Sequence, residues 1–260
     1  MSGRKRRTKR RAELSQHFLL AAPAASLVQA TSVSSSDLVV EIGPGRGALT
    51  KPLLKRAGRV IGVELDKYLA TRLAKDLVKA DIVHADFLDF PLPQGDYSVV
   101  GNVPYSRTTE IIAKLVTAPN PPRDAWLVVQ RELAQRMCGP PYGNETLWSL
   151  RLKPGWHVEV LARPRKTDFS PPPSVESAFL HLSHRARPLI SVAQQGAFES
   201  LIRVAYEHRG SISSALRSTL SKTQIRRLGT DLHFQPDSPS GSLSFEQWLG
   251  IFRWIQQQNA

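Results

Sequence analysis

Seven strand-like runs punctuate the first 183 residues of this 260-residue chain, and stretches of helical spacing separate them. They are Leu38 to Ile42, Arg59 to Val63, Ile82 to His84, Tyr97 to Val100, Ala125 to Val129, Trp156 to Leu161 and Ala178 to Leu182. Strands that alternate with helices require crossover connections, and those connections favour a parallel sheet with helices packed on it. The expected class is therefore α/β. Past Arg185 to Pro188 the pattern changes: Phe198, Leu201, Ile202 and Ala205 recur at helical spacing, as do Phe245, Trp248, Leu249 and Phe252. Trp248 and Trp254 on such a stripe read as packing residues. Ser244 with Gln247 three residues on forms a capping box that opens the last helix. The expected division is an arm over 1–12, an α/β domain over 13–184 and an all-helical domain over 189–260, with no internal repeat.

The second constraint is chemical, because four successive runs end in residues suited to a ligand. Leu38-Val39-Val40-Glu41-Ile42 enters Gly43-Pro44-Gly45-Arg46-Gly47, whose glycines permit a sharp bend and close backbone approach to a bound group. The following helix is expected to begin near Arg46 or Gly47. Val60-Ile61-Gly62-Val63 ends in Glu64, 21 residues after Gly43, a spacing that suits a carboxylate receiving ribose hydroxyls. A dinucleotide site has the same outline. Ile82-Val83-His84 leads into Ala85-Asp86-Phe87, an acid and an aromatic suited to the amino group and ring of an adenine. Tyr97-Ser98-Val99-Val100 leads into Gly101-Asn102-Val103-Pro104-Tyr105. Pro104 biases Val103 toward an extended backbone, which lets the Val103 carbonyl and the Asn102 side-chain oxygen address one pocket. Two adjacent acceptors and an aromatic ring suit a planar amine, as methylation of a nucleobase's exocyclic nitrogen requires. Ligands of open α/β sheets bind beyond the carboxyl ends of the strands, so these four segments are expected to share one crevice.

In this order the four segments resemble the S-adenosylmethionine-dependent methyltransferases, and within them the rRNA adenine-N6 methyltransferases. Gln16-His17-Phe18-Leu19 is similar to the family's Gln-Asn-Phe-Leu/Ile element, with His17 in place of the common asparagine. Phe169-Ser170-Pro171-Pro172-Pro173-Ser174-Val175-Glu176-Ser177 is similar to its Phe-x-Pro-x-Pro-x-Val-x-Ser element. Over residues 13–260 the chain resembles the Erm-type 23S rRNA adenine-N6 methyltransferases, close kin of the small-subunit dimethyltransferases. Val103 matches neither the isoleucine usual in the first group nor the leucine usual in the second. The arginine-rich arm leans toward the Erm type, as does Tyr206-Glu207-His208-Arg209-Gly210-Ser211, which lacks the small-subunit group's paired basic residues and Lys-Thr-Leu.

The resemblance implies a Rossmann-like sheet whose last two strands form a hairpin edge, followed by a helical RNA-binding domain. It implies S-adenosylmethionine as cofactor, with Gln16, His17 and Leu19 at a lid, Gly43 and Gly45 at the methionine end, Glu64 on the ribose and Asp86 on the adenine. Asn102 is expected to contact cofactor and substrate. Asn102 and the Val103 carbonyl would accept from the target nitrogen, while Tyr105 and Phe169 sandwich the extruded base, each contact contributing about 1 to 3 kcal/mol. No metal is required, because a sulfonium is already an electrophile. The implied activity is methylation, once or twice, of one adenine in protein-free or early-assembly 23S rRNA, with resistance to macrolides, lincosamides and streptogramin B. The alternatives are a small-subunit 16S rRNA dimethyltransferase and a nucleic-acid-binding factor on the same fold that no longer methylates.

Composition agrees with an RNA partner. Lys plus Arg number 35 against 22 Asp plus Glu, a formal charge of +13 and a field suited to phosphates. Seven of the cations are Arg4, Lys5, Arg6, Arg7, Lys9, Arg10 and Arg11, expected to form a disordered arm that orders on RNA. Without them the remainder still carries +6, so basicity extends beyond the arm. The single cysteine, Cys138, excludes an internal disulfide, fits a reducing cytoplasm and reads as a buried neutral residue. The chain contains no apolar run of about 18 residues, the length of a membrane helix, and its arginine-rich start lacks a signal peptide's apolar core. A cytoplasmic monomer is expected. His181 and His184 are expected to be solvent-exposed and not to bind metal. Gly-x-Ser-x-Gly and Gly-x-x-x-x-Gly-Lys elements are absent, which removes the usual hydrolase and P-loop readings.

Overall fold

Each of the seven runs forms a strand in the computed structural model, which describes residues 17–208 and 210–258. The arm, Gln16 and Arg209 lie outside the described residues. The strands are β1 (Phe18–Leu19), β2 (Leu38–Ile42), β3 (Arg59–Glu64), β4 (Asp81–His84), β5 (Ser98–Asn102), β6 (Asp124–Gln130), β7 (Trp156–Ala162), β8 (Phe169–Ser170) and β9 (Ser177–His184). The helices are α1 (Ala21–Gln29), α2 (Thr50–Leu53), α3 (Lys67–Asp76), α4 (Thr108–Val116), α5 (Arg131–Cys138), α6 (Leu147–Leu152), α7 (Val192–Glu207), α8 (Ile212–Ala215), α9 (Lys222–Asp231) and α10 (Phe245–Gln258).

The main sheet has the order β4-β3-β2-β5-β6-β9-β7. From β4 to β6 every pairing is parallel. β9 then runs antiparallel to β6, from Asp124 opposite Ser183 to Gln130 opposite Ser177. The sheet is therefore mixed, and the chain's last strand sits inside it while β7 takes the edge. Burial explains the exchange. Ala178, Phe179, Leu180 and Leu182 of β9 are all buried, so that strand needs neighbours on both sides. In β7 only Trp156 is buried, and a half-polar strand tolerates an edge. The strands β1 and β8 pair antiparallel as a separate ribbon, Phe18 opposite Ser170 and Leu19 opposite Phe169. At two residues each, they are too short to show a period in the sequence.

Connections reverse direction at β2, whose neighbours are β3 on one side and β5 on the other, and the crevice beyond such a switch point is where ligands bind. Leu19, Leu53, Val60, Trp126, Phe169 and Phe179 are among the side chains that fill one face of the core. Asp66 ends the β3 turn and caps α3, its Oδ1 accepting from Tyr68 N at 2.8 Å and Leu69 N at 3.2 Å. The helix after the glycine turn begins only at Thr50, later than expected, and is a single turn.

At the opposite end of the parallel strands, His181 corrects a reading from sequence. Its side chain is only 15 % exposed. The ring stacks on Trp126 at 5.1 Å, with Nε2 2.8 Å from Asp124 Oδ1 and Nδ1 3.1 Å from Glu159 Oε1. Burial lowers its pKa, but the hydrogen bonds and charges of Asp124 and Glu159 outweigh it and the net shift is upward. Among the described residues no His, Cys, Asp or Glu group is arranged to hold a metal ion.

The chain divides into two compact units, 1–134 with 158–184 and 135–157 with 185–260. The second unit thus includes a segment that the sequence reading placed in the α/β domain. Long-range contacts account for this. Leu150 is fully buried in a cluster with Phe198, Ile202, Trp248 and Phe252. Glu145 is buried too, pairs with Lys153, and accepts from Ser149 Oγ at 2.5 Å and Phe245 N at 3.3 Å. Tyr206 Oη donates to its carbonyl at 3.0 Å. Ser244 and Gln247 form the expected capping box at α10, with Ser244 N donating to Gln247 Oε1 at 2.8 Å and Gln247 N to Ser244 Oγ at 3.3 Å. Trp248 is fully buried, as its stripe implied.

Candidate active site

The carboxyl ends of β2, β3, β4 and β5 enclose a cleft of about 870 Å³, part of it open to solvent. Gly43, Gly45, Glu64, Asp86, Asn102, Val103 and Tyr105 all line it, together with His17. The four segments identified from sequence therefore share one site.

The glycine turn has the left-handed backbone that its composition suggested. Gly43 and Gly45 have φ of +63° and +60°, a region that side-chain-bearing residues rarely adopt. Space beside Gly43 is open for 4 Å, whereas a Cβ at Gly45 would lie 3.1 Å from the Phe18 ring. Gly45 also binds the acid of the next strand, its N–H donating to Glu64 Oε2 at 2.8 Å. Asp66 N donates to Glu64 Oε1, also at 2.8 Å. Glu64 is 3 % exposed, and burial raises its pKa against the pull of those two donors. Each of its oxygens keeps a second lone pair, the acceptor capacity that a ribose diol needs.

Asp86 begins the loop after β4. Its Oδ1 accepts from Leu88 N at 2.9 Å and its Oδ2 from Arg107 Nη1 at 2.9 Å. The Leu88 amide is the largest influence on this carboxyl; it and Arg107 hold the pKa below the ordinary value despite partial burial. The acid is an ionised, oriented acceptor. Phe87 beside it is buried and forms part of the wall.

The Asn102 side chain is fixed from outside its own strand, because Nδ2 donates to the His17 carbonyl at 2.6 Å. That bond consumes a donor and leaves Oδ1 as the acceptor. Val103 N is tied to Val128 O at 3.3 Å, and the carbonyl of Pro104 is taken by Arg107 N and Thr108 Oγ1 at 3.0 and 3.2 Å. No hydrogen bond among the described residues reaches the Val103 carbonyl. Two acceptors on consecutive residues thus stand without donors among the described residues. Tyr105 is braced by a 2.6 Å bond between its hydroxyl and Ser177 Oγ, and its ring stacks against His17 at 6.1 Å and 30°. Burial pushes the phenol's pKa up, so it stays neutral. The histidine that replaces an asparagine keeps a side-chain partner of its own, with Nδ1 3.0 Å from Pro171 O, as well as the backbone contact.

One expected position differs. Phe169 is 2 % exposed and packs in the core rather than lining the cleft, so the ring assigned to sandwich a base opposite Tyr105 is not at the surface of the site. Its pairing with Leu19 in the β1–β8 ribbon draws it inward. Leu19 is also largely buried; Phe18 lines the cleft, and Leu19 lines a smaller pocket beside it with Gly43, Gly45 and Asn102. Sequence reasoning missed Arg107, Leu65, Leu88 and Ile111 in the lining. Arg107 carried a signal, since a cation at the N-terminus of a helix opposes the helix dipole and calls for a counter-charge.

The residues present fit an adenosyl cofactor: a left-handed glycine turn with open space, a buried acid with spare lone pairs and an oriented second acid within one cleft. Residues 7–257 match the family described as Ribosomal RNA adenine dimethylase. The chain is 33 % identical over 98 % of its length to an rRNA adenine N-6-methyltransferase of Aeromicrobium erythreum, covering 76 % of that protein. It is 32 % identical over 95 % of its length to a ribosomal RNA small subunit methyltransferase A of Thermosynechococcus vestitus, covering 97 %. In structure it is similar to the 23S rRNA methyltransferase ErmE, with a TM-score of 0.86 and 27 % identity over 92 % of this chain and all of that one. The chain belongs to the ribosomal RNA adenine dimethylase family and is an S-adenosylmethionine-dependent rRNA adenine-N6 methyltransferase.

Proposed function

We propose that this enzyme methylates the N6 amino group of an adenine in 23S rRNA and thereby gives resistance to macrolides, lincosamides and streptogramin B. The observation that carries the catalytic part is the Asn102 amide, turned by its bond to the His17 carbonyl so that an oxygen acceptor stands beside the open carbonyl of Val103. These two acceptors draw on the amine's protons and stabilise positive charge that develops on nitrogen as it attacks. Tyr105 offers its ring as the stacking platform. Glu64 holds the ribose, Asp86 the adenine, and Gly43 and Gly45 the methionine end of the cofactor, with His17 bracing the entrance. When bound, S-adenosylmethionine supplies an electrophilic methyl group. The chain's own contribution is alignment of the amine with it.

The choice of 23S rRNA is supported by the likeness to ErmE at a TM-score of 0.86, against 0.73 for a dimethyladenosine transferase of Plasmodium falciparum. A second reading, the small-subunit enzyme of ribosome assembly, draws support from the relative of Thermosynechococcus vestitus, matched over 97 % of its length. We assign the helical unit and the basic arm to RNA contact and the site of action to the cytoplasm; no described helix is long and apolar enough to cross a membrane. Transfer of labelled methyl to protein-free 23S rRNA and, in parallel, to 30S particles tests the reading, with mass spectrometry counting methyl groups on the adenine. Labelling of 23S rRNA supports it; labelling confined to 30S particles replaces it with the second.

A further inference from the structure

The loop that carries Asp86 is bound to the segment after the Asn102–Tyr105 turn at two places. Arg107 ends the short 3-10 turn Tyr105–Arg107; its Nη1 donates to Asp86 Oδ2 at 2.9 Å and its Nη2 to Glu110 Oε2 at 3.1 Å. One helical turn and more further on, Lys114 Nζ donates to the carbonyls of Phe87, Leu88 and Phe90 at 2.7, 2.8 and 2.6 Å. The cost of a cation at the start of α4 is offset by the two carboxylates it bridges. Lys114 holds the loop's backbone, and of these two cations Arg107 is the one that hydrogen-bonds the carboxylate lining the cleft.

We infer that Arg107 is a positioning residue for the cofactor: by holding one oxygen of Asp86 it orients that acid and couples the adenosine end of the cleft to the turn bearing the two acceptors. The inference rests on the reading of Asp86 as the adenine's acceptor. With Leu88 N on Oδ1 and Arg107 on Oδ2, each oxygen has one fixed donor and one spare lone pair. Without the guanidinium, Oδ2 loses its donor, the carboxylate is free to rotate, and a proton competes for it. The charges around Asp86 are Arg107 and Lys114, with Glu110 and Asp89 behind them and Glu64 in the same cleft.

The test is calorimetric affinity for S-adenosylhomocysteine between about pH 4.5 and 8, measured for the unaltered enzyme, Arg107→Gln, Arg107→Lys and Asp86→Asn. Arg107 is 38 % exposed in its side chain, so its replacement opens no core cavity. Arg107→Gln is expected to bind about tenfold more weakly, the loss of one charge-assisted hydrogen bond, and to lose affinity on acidification at a higher pH. Arg107→Lys, which keeps the charge without the planar fork, is expected to fall between, and it carries the same test if the glutamine variant does not fold. Glu64 is present in every variant, so its titration cancels in the comparison. Arg107→Gln binding like the unaltered enzyme, with the same pH profile, while Asp86→Asn is weakened, overturns the role of Arg107. Asp86→Asn binding unchanged overturns the reading of Asp86 itself.

Discussion

The two ends of the parallel strands use similar residues in opposite ways. At the amino ends, Asp37, Arg123, Asp124, His181 and Glu159 form a connected chain: Arg123 reaches Asp37 at 3.0 Å and Asp124 at 3.2 Å, and His181 lies between Asp124 and Glu159. Acid meets base throughout. At the carboxyl ends, among the described residues, Glu64 is held by backbone amides alone, and Asn102 spends a donor while its acceptor stays open. A site is distinguished from a structural network by the hydrogen-bonding capacity that the protein leaves unspent.

The comparison is broken most severely at Asn102. Asn102→Ala is expected to lower methyl transfer by more than about 100-fold, as loss of a preorganised electrostatic partner does, while RNA affinity is kept. Radiolabel transfer alongside fluorescence anisotropy with an rRNA fragment measures both, and full activity in the variant removes Asn102 from the site. Next in size is Glu64→Ala, expected to weaken cofactor binding about 100-fold through loss of two hydrogen bonds to a charged group. Calorimetry with S-adenosylhomocysteine is the measurement, and an unchanged Kd sends the ribose elsewhere.

At the other end of the sheet, His181→Ala is expected to cost stability rather than chemistry, about 1.5 to 3 kcal/mol at pH 6. The folded pKa of His181 lies above its ordinary 6.5, so the stabilisation is complete below that value and is lost as pH rises through the folded pKa. Denaturant midpoints of parent and variant should therefore converge toward pH 9; a constant gap means that packing on Trp126, and not charge, is what the histidine supplies.

A last effect, on stability alone, concerns Glu41, near the end of β2 and 1 % exposed. Unlike those of Glu64, its two oxygens accept no hydrogen bond of good geometry among the described residues, and burial, aided by the Glu64 charge and opposed by the nearby Thr50 hydroxyl and amide, pushes its pKa up to about 8. A carboxyl raised in this way loses stability as pH climbs from its ordinary value of 4.5 toward 8. Glu41→Gln should consequently gain on the order of 10 °C in Tm relative to the parent at pH 8 and little at pH 5, read by calorimetric melts at both. A gain that does not grow with pH shows that the carboxyl ionises freely where it is.

What the sequence determined by itself was local. Runs of β-branched residues, turn glycines and a proline after Val103 act through steric limits on neighbouring residues, so the seven strands, the left-handed turn at Gly43 and Gly45 and the gathering of Glu64, Asp86 and Asn102 at strand ends were all legible. Tertiary structure decided whatever depends on partners far along the chain. His181 reads as exposed until Asp124 and Glu159 close around it. Phe169 reads as a stacking ring until β8 pairs with β1 and turns it into the core. Segment 135–157 follows the α/β strands in order, yet Leu150 and Glu145 commit it to the helical unit. The mate of Arg107 lies 21 residues before it, and the amide of Asn102 is set by a carbonyl 85 residues away. Burial and hydrogen-bond satisfaction belong to the closed surface around a residue, and no local pattern encodes that surface.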